Sequence, residues 1–278
     1  MEMFDYEFMQ RAFWAGGFIG IIAPILGVYL MLRRQALIAD TLSHVSLAGV
    51  ALGSVLQFNP VISGFVVAIA GGLIIERLRR TYLTYSEVPV AIIMTSGLAL
   101  AVVLMSLESN LNKSFSSYLF GSIVAVSKQQ LWMIGIVALL GLLFFILFRR
   151  PLYNLTFDEE TARIGGVHVK WLSFSFSVLT GMTVASAIPI VGVLLVSSLM
   201  VLPAALALKI ARGFLSAIII AVITGLVGIF SGLTTSYYMN TPPGGTISLI
   251  LLVFFITSFV IRKLLLRKQR RSRIARSS

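Results

Sequence analysis

The chain has no cysteine, which excludes disulfides, thiolate metal sites and cysteine nucleophiles. Charge is scarce as well: only 12% of the 278 residues are Asp, Glu, Lys or Arg, against roughly 25% in a soluble domain. So little charge cannot coat a water-soluble globule, and a chain that is 58% hydrophobic cannot be disordered. Acidic residues stop altogether after Glu160. No Gly-Lys-Ser/Thr triplet occurs, so the chain carries no phosphate-cradling P-loop, and the absence of His-Glu-x-x-His removes that kind of zinc-protease site. Two histidines, His44 and His168, leave little stock for redox-metal chemistry. What remains is a polytopic membrane protein.

A spanning helix needs about 20 apolar residues. Nine segments qualify or nearly qualify: Ala12–Leu32, Ala36–Phe58, Val61–Ile75, Val88–Leu107, Leu131–Phe148, Trp171–Ile188, Val191–Leu208, Phe214–Tyr238 and Thr246–Ile261. Only Pro189 and Ile190 separate the sixth from the seventh. Pro189 interrupts helix geometry and Gly192 follows closely, so a tight turn or a broken helix is expected there, with eight crossings as the alternative count. The fold class is all-α, one domain over 1–278 built as a helical bundle. Gly16/Gly20, Gly49/Gly53 and Gly228/Gly232 are small-xxx-small pairs that let helices approach closely; they speak for packing and not for substrate.

The net charge of +12 is unevenly placed. Eight basic residues, Arg262, Lys263, Arg267, Lys268, Arg270, Arg271, Arg273 and Arg276, form the tail 262–278. No aromatic side chains interleave with them, which argues against nucleic acid and for anionic lipid headgroups at a cytoplasmic face. With an outside N-terminus and alternating crossings, the inner loops also hold Arg33, Arg34, Arg77, Arg79, Arg80, Arg149, Arg150, Arg163, Lys170, Lys209 and Arg212. Only Arg11, Lys113 and Lys128 fall outside. The positive-inside rule therefore predicts N-out and C-in, a multi-pass protein of the cell membrane. Residues 1–10 hold Glu2, Asp5 and Glu7 and no basic residue, the reverse of a signal peptide, so the first segment is expected to be retained.

Chemistry concentrates in the second segment. Asp40 and His44 are four residues apart and lie one above the other on a helix, flanked by Ser43 and the small Ala48 and Ala51. An ionisable group inside a membrane helix costs about 2.5–3.5 kcal/mol on insertion scales and usually faces a bundle interior or a pathway. A carboxylate and a neutral imidazole are also ligands that first-row divalent metals accept. Two plainer readings stand beside this one: Asp40, six residues past Arg34, as an interfacial charge or helix cap, and His44 as a core histidine bonded to a neighbouring carbonyl. Either way two ligands do not complete a zinc site, which commonly takes four.

The longest inner loop, Arg149 to Lys170, contains Asp158-Glu159-Glu160-Thr161-Ala162-Arg163-Ile164-Gly165-Gly166. Thr156 is placed to cap a short helix over 156–167, with an acidic first turn and glycines to end it. Capping physics explains the pattern without function, but a short polar helix at the cytosolic face suits docking to a soluble partner.

Three stretches together resemble one family, the permeases of ABC-type zinc, manganese and iron importers (the ABC-3 family). They are Arg33-Arg34-Gln35 running into Asp40-Thr41-Leu42-Ser43-His44; Asp158-x-x-x-Ala162-x-x-x-Gly166; and Val191-Gly192-Val193-Leu194-Leu195-Val196 through Pro203-Ala204-Ala205, followed by Ser236-Tyr237-Tyr238 and Pro242-x-Gly244. They cover residues 32 to about 249 in family order and spacing. The resemblance implies a type II importer permease rather than an enzyme. Two copies would form the pathway, two separate ATPase subunits would bind below, and an extracytoplasmic metal-binding protein would dock above. It implies no permanently bound cofactor, only a transported divalent metal. Asp40 and His44 would lie on the metal pathway, and Asp158, Glu159, Ala162 and Gly166 in the helix that couples to the ATPase. The family's acidic residue near Pro-x-Gly is replaced here by Asn240, which is left out of the metal set. The wording around Asp40 is closest to the zinc permeases, with manganese or iron as alternatives. A proton-driven secondary transporter is the alternative from another class, which would not need the acidic cytosolic helix.

Overall fold

A computed structural model describes residues 2–82, 87–107 and 112–277. Among them the chain is helical throughout, with no strand. Eight helices are long and apolar enough to cross a membrane: α1 (Glu7–Leu32), α2 (Leu37–Val55), α3 (Pro60–Thr81), α4 (Glu87–Ser106), α6 (Lys128–Leu147), α9 (Val169–Val191), α11 (Phe214–Met239) and the apolar part, Pro243–Val260, of α12 (Pro243–Ser277). Shorter helices are α5 (Asn112–Phe120), α7 (Arg149–Phe157), α8 (Glu159–Ile164) and α10 (Val196–Ile210). The tail side chains beyond Lys263 lie outside the described residues.

Burial sorts the bundle into two shells. α1, α2 and α9 are largely buried, whereas α3, α4, α6, α11 and α12 expose most of their apolar surface, as helices facing lipid should. Trp14, Trp132 and Trp171 are all exposed near helix ends, where amphipathic indoles favour the headgroup level. Each glycine pair singled out from the sequence lies against a neighbouring helix. Gly16 and Gly20 meet Ile229 and Leu226 of α11, Gly49 and Gly53 meet Ser63 of α3, and Gly228 and Gly232 meet Leu251 and Ile247 of α12.

The sixth and seventh segments are separate helices, but the break is not at the proline. α9 runs through Pro189 to Val191 and ends at Gly192, whose φ of +83° favours glycine. A side chain there would also collide with the Leu119 carbonyl. The next amides do not go unbonded: Val193 N–H donates to Tyr118 O at 2.9 Å and Leu194 N–H to Leu119 O at 3.3 Å, both from the end of α5. Non-helical backbone is tolerated at membrane depth where protein satisfies it. Gly244, at the start of α12, packs onto the same turn against the Val191 carbonyl, so two stretches distant in sequence form one junction. α10 then has 15 residues, about 22 Å of helix at 1.5 Å per residue.

The loop between α6 and α9 departs from expectation. It holds two helices instead of one over 156–167. Thr156 is no cap: its hydroxyl donates back to Leu152 O at 2.7 Å inside α7. The chain becomes extended at Asp158 (φ −153°, ψ 101°), and this carboxylate caps α8 by accepting from the Glu160 and Thr161 amides, each at 3.0 Å. Pro151 sits in the first turn of α7, where a missing N–H costs nothing, and Leu152 and Leu155 bury the inner face.

Candidate functional site

Asp40 and His44 lie on the buried helix α2, as their spacing predicts. His44 Nε2 is 4.0 Å from Asp40 Oδ2, too long for a hydrogen bond. Two ligands held about 2.1 Å from one tetrahedral metal stand about 3.4 Å apart, so a small rotation of either side chain brings both onto one ion. Asp40 keeps 32% of its side-chain surface exposed, while His44 is nearly covered. The His44 Nδ1 is buried and has no hydrogen-bond partner. The reading of His44 as a core histidine bonded to a carbonyl is therefore not what the structure contains. Asp40 sits in the first turn of α2, but the cap position is Ala36 and no side chain caps the helix, which removes the capping role as well. Ser43 bonds inward to Ala39 O at 2.9 Å and is turned away from ligand duty. Among the described residues no group of three or more His, Cys, Asp or Glu converges. His168 flanks α9 and lines a different cavity with Phe148, Gly166 and Trp171.

One end of the bundle collects the basic residues. Arg33, Glu76, Arg77, Arg79, Arg80, Glu159, Arg163 and Lys170 line a single open cavity of about 600 Å³. Arg34, Gln35, Arg79 and Glu87 line its neighbour, and Arg262 reaches the Lys209 carbonyl on the same side. At the opposite end Phe8, Ser122, Asn240 and Thr241 border a cavity of about 710 Å³. Asn240 caps α11 in the left-handed conformation (φ 51°), a role asparagine fills well.

The basic end holds a residue that segment reading missed. Glu76 is 2% exposed. Its Oε1 accepts from Arg80 Nε at 2.8 Å and its Oε2 from Arg79 Nη1 at 3.1 Å, with the Ser177 hydroxyl of α9 at 3.5 Å. Arg33 donates to Ser173 at 3.2 Å and lies over the Phe176 ring. Burial pulls its guanidinium down to about 10, against the opposing pull of Glu76. Hydropathy ended the third segment at Ile75, but arginines at i+3 and i+4 neutralise the carboxylate and let α3 continue to Thr81.

On α8, Asp158 and the first-turn Glu159 and Glu160 are at the helix start, Ala162 is buried in the chain's own core, and Ile164 is 87% exposed. Gly166 has open space around its Cα but a φ of +81° that a side chain would strain. The Asp158 carboxylate is held below the ordinary carboxylate range, chiefly by the Thr161 hydroxyl at 2.5 Å.

An all-helical bundle with eight helices long and apolar enough to cross a membrane among the described residues is a polytopic membrane protein. The chain belongs to the ABC 3 transport family, whose pattern matches residues 5–262. It is 32% identical over 258 residues to the high-affinity zinc uptake system membrane protein ZnuB of Haemophilus influenzae, covering 93% of this chain and 99% of that one. It is also 32% identical over 274 residues to the manganese import system permease protein ScaB of Streptococcus parasanguinis, covering 99% and 96%. The fold matches a chain of PsaBC from Streptococcus pneumoniae in complex with Fab, with a TM-score of 0.82 and 28% identity over 93% of this chain and 94% of the other. The family resemblance and the all-helical class expected from sequence are borne out. The chain is an ABC-type metal permease.

Proposed function

We propose that the chain is the membrane subunit of an ATP-driven importer that passes zinc into the cytoplasm between two copies of itself. The observation that carries this is the Asp40–His44 pair, with the imidazole Nε2 4.0 Å from the carboxylate and no third candidate ligand beside them among the described residues. A two-fold axis beside α2 would assemble two carboxylates and two imidazoles. That mixed nitrogen and oxygen set suits tetrahedral zinc better than manganese, which favours an oxygen-rich octahedron. A transient site must also release its ion, and two open half-sites separate more readily than a closed cage. The basic end would face the cytoplasm, where α8 would dock on a separate ATPase subunit that does the hydrolysis. The opposite end, with the Phe8–Thr241 cavity, would receive an extracytoplasmic metal-binding protein. Manganese remains the second reading within the same family, favoured by the equal identity to ScaB.

The test is uptake into proteoliposomes holding the complete complex, with and without ATP, comparing zinc with manganese. Zinc uptake that requires ATP and the ATPase subunit is the expected result. Uptake driven by a proton gradient alone would overturn the reading, and faster manganese uptake would change the metal.

A further inference from the structure

The buried carboxylate of Glu76 is held by Arg79 and Arg80 and sits where four elements meet. On one side Arg80 is shared: its Nε binds Glu76 and its Nη1 lies 3.6 Å from Glu159 Oε1 on α8. On the other side Arg79 joins Glu76 to Gln35. With its amide oxygen turned to the guanidinium, the orientation that hydrogen bonding requires, Gln35 accepts from Arg79 at 2.7 and 2.8 Å. Gln35 itself is buried, its N–H bonded to Leu30 O of α1 at 2.7 Å and its carbonyl accepting from Ile38 N–H of α2 at 3.0 Å. Asp40 follows five residues later, about 7.5 Å along the helix axis. An unbroken polar chain thus runs from α8 through Glu159, Arg80, Glu76, Arg79 and Gln35 to the start of the helix that carries Asp40 and His44.

We propose that Glu76 is the positioning residue that ties α8 to α2, so that displacement of α8 by the ATPase shifts the metal ligands. This rests on the importer reading above. Two physical arguments favour a linkage over simple glue. Buried ion clusters stabilise less than apolar side chains of equal volume, so their value is in fixing one geometry. And Arg80 spans two carboxylates, Glu76 on its own helix and Glu159 on α8, so a movement of α8 is carried to α3 through a charged contact rather than through apolar packing alone.

The chain's lack of cysteine permits a direct test. In a purified complex in which only one of the two copies carries the labels, spin labels at Glu160→Cys on α8 and Leu37→Cys at the start of α2, both exposed positions, report one distance. In the parent a single narrow distribution is expected both with and without ATP. Glu76→Gln should broaden it or split it in two, and should raise the ATP consumed per ion moved at least fivefold, with Glu76→Asp recovering most of the loss. If Glu76→Gln fails to fold, Gln35→Leu removes the α2 end of the chain without stranding a carboxylate and should broaden the distribution likewise. An unchanged distribution and an unchanged ATP-to-ion ratio in these variants overturn the proposal. Failure of the parent complex to move metal with ATP would refute the functional reading instead, and the distance distributions would still decide the linkage.

Discussion

Asp40 and His44 stand on consecutive turns of one helix, so a change in either would alter half of the ligand pair proposed for each chain. Asp40→Asn keeps size and polarity while removing the charge, and Asp40 is a third exposed, so folding should be little affected. His44→Ala removes a larger, nearly buried ring and leaves a small cavity, for which a loss of about 1–3 kcal/mol in stability is expected. Both should reduce metal uptake at least a hundredfold while the complex still assembles. Normal uptake by both variants in the reconstituted complex would remove the pair from the pathway. Asp158 makes a second case at this scale. Its pKa is depressed in the folded chain, so its cap is in force above the ordinary carboxylate pKa of about 3.9 and is lost as pH falls through the lower folded value. Asp158→Asn keeps an acceptor and should hold α8 near neutral pH. Asp158→Ala should speed amide exchange at Glu160 and Thr161 relative to Asp158→Asn, and relative to the parent wherever Asp158 is ionised; equal exchange in both variants would mean that the side chain does not cap.

At the scale of elements, α8 shows what a sequence can and cannot display. Its acidic start and glycine end were legible because capping is local chemistry. Its boundaries were not, because Thr156 and Asp158 are both good caps and only the fold decides that Thr156 bonds backwards into α7. Ala162, expected in the helix that couples to the ATPase, is buried in the chain's own core. Ala162→Trp is therefore an overpacking change, worth about 1–3 kcal/mol against the permease itself, and its effect on coupling would be indirect. Ile164 points away from the core and is the better probe of docking. Ile164→Asp should leave thermal stability unchanged and cut capture of the ATPase at least tenfold in a pull-down. Capture at the parent level would assign docking to another surface. The Asp40–His44 pair was legible from its i, i+4 spacing, while Glu76 was hidden because a hydropathy window stops at the first charge and cannot see that Arg79 and Arg80 pair with it.

For the whole molecule the decisive question is the parity of crossings. Eight long helices would return the chain to the side on which it began. α10, at about 22 Å, is short of the roughly 30 Å hydrocarbon core, but it begins beside a buried non-helical turn whose amides bond to α5. It also runs alongside α12: Ser198 and Ser248 hydroxyls meet at 2.5 Å near the two helix starts, and Arg262 reaches Lys209 O at the far end. The apolar part of α12 is long enough to span, so α10 beside it would traverse most of the same depth, and a ninth crossing would put the termini on opposite sides, as the placement of the basic residues predicts. Single cysteines in this cysteine-free chain test each step. Phe58, Arg212 and Thr241 are all exposed in loops between helices. In intact cells a membrane-impermeant maleimide should label Phe58→Cys and Thr241→Cys, and should label Arg212→Cys only after permeabilisation. Labelling of Phe58→Cys and Arg212→Cys with protection of Thr241→Cys would mean that α10 does not cross. Labelling of Arg212→Cys alone would invert the molecule in the membrane, putting the basic cavity with Glu76 and Glu159 outside the cell, where no ATPase could reach it.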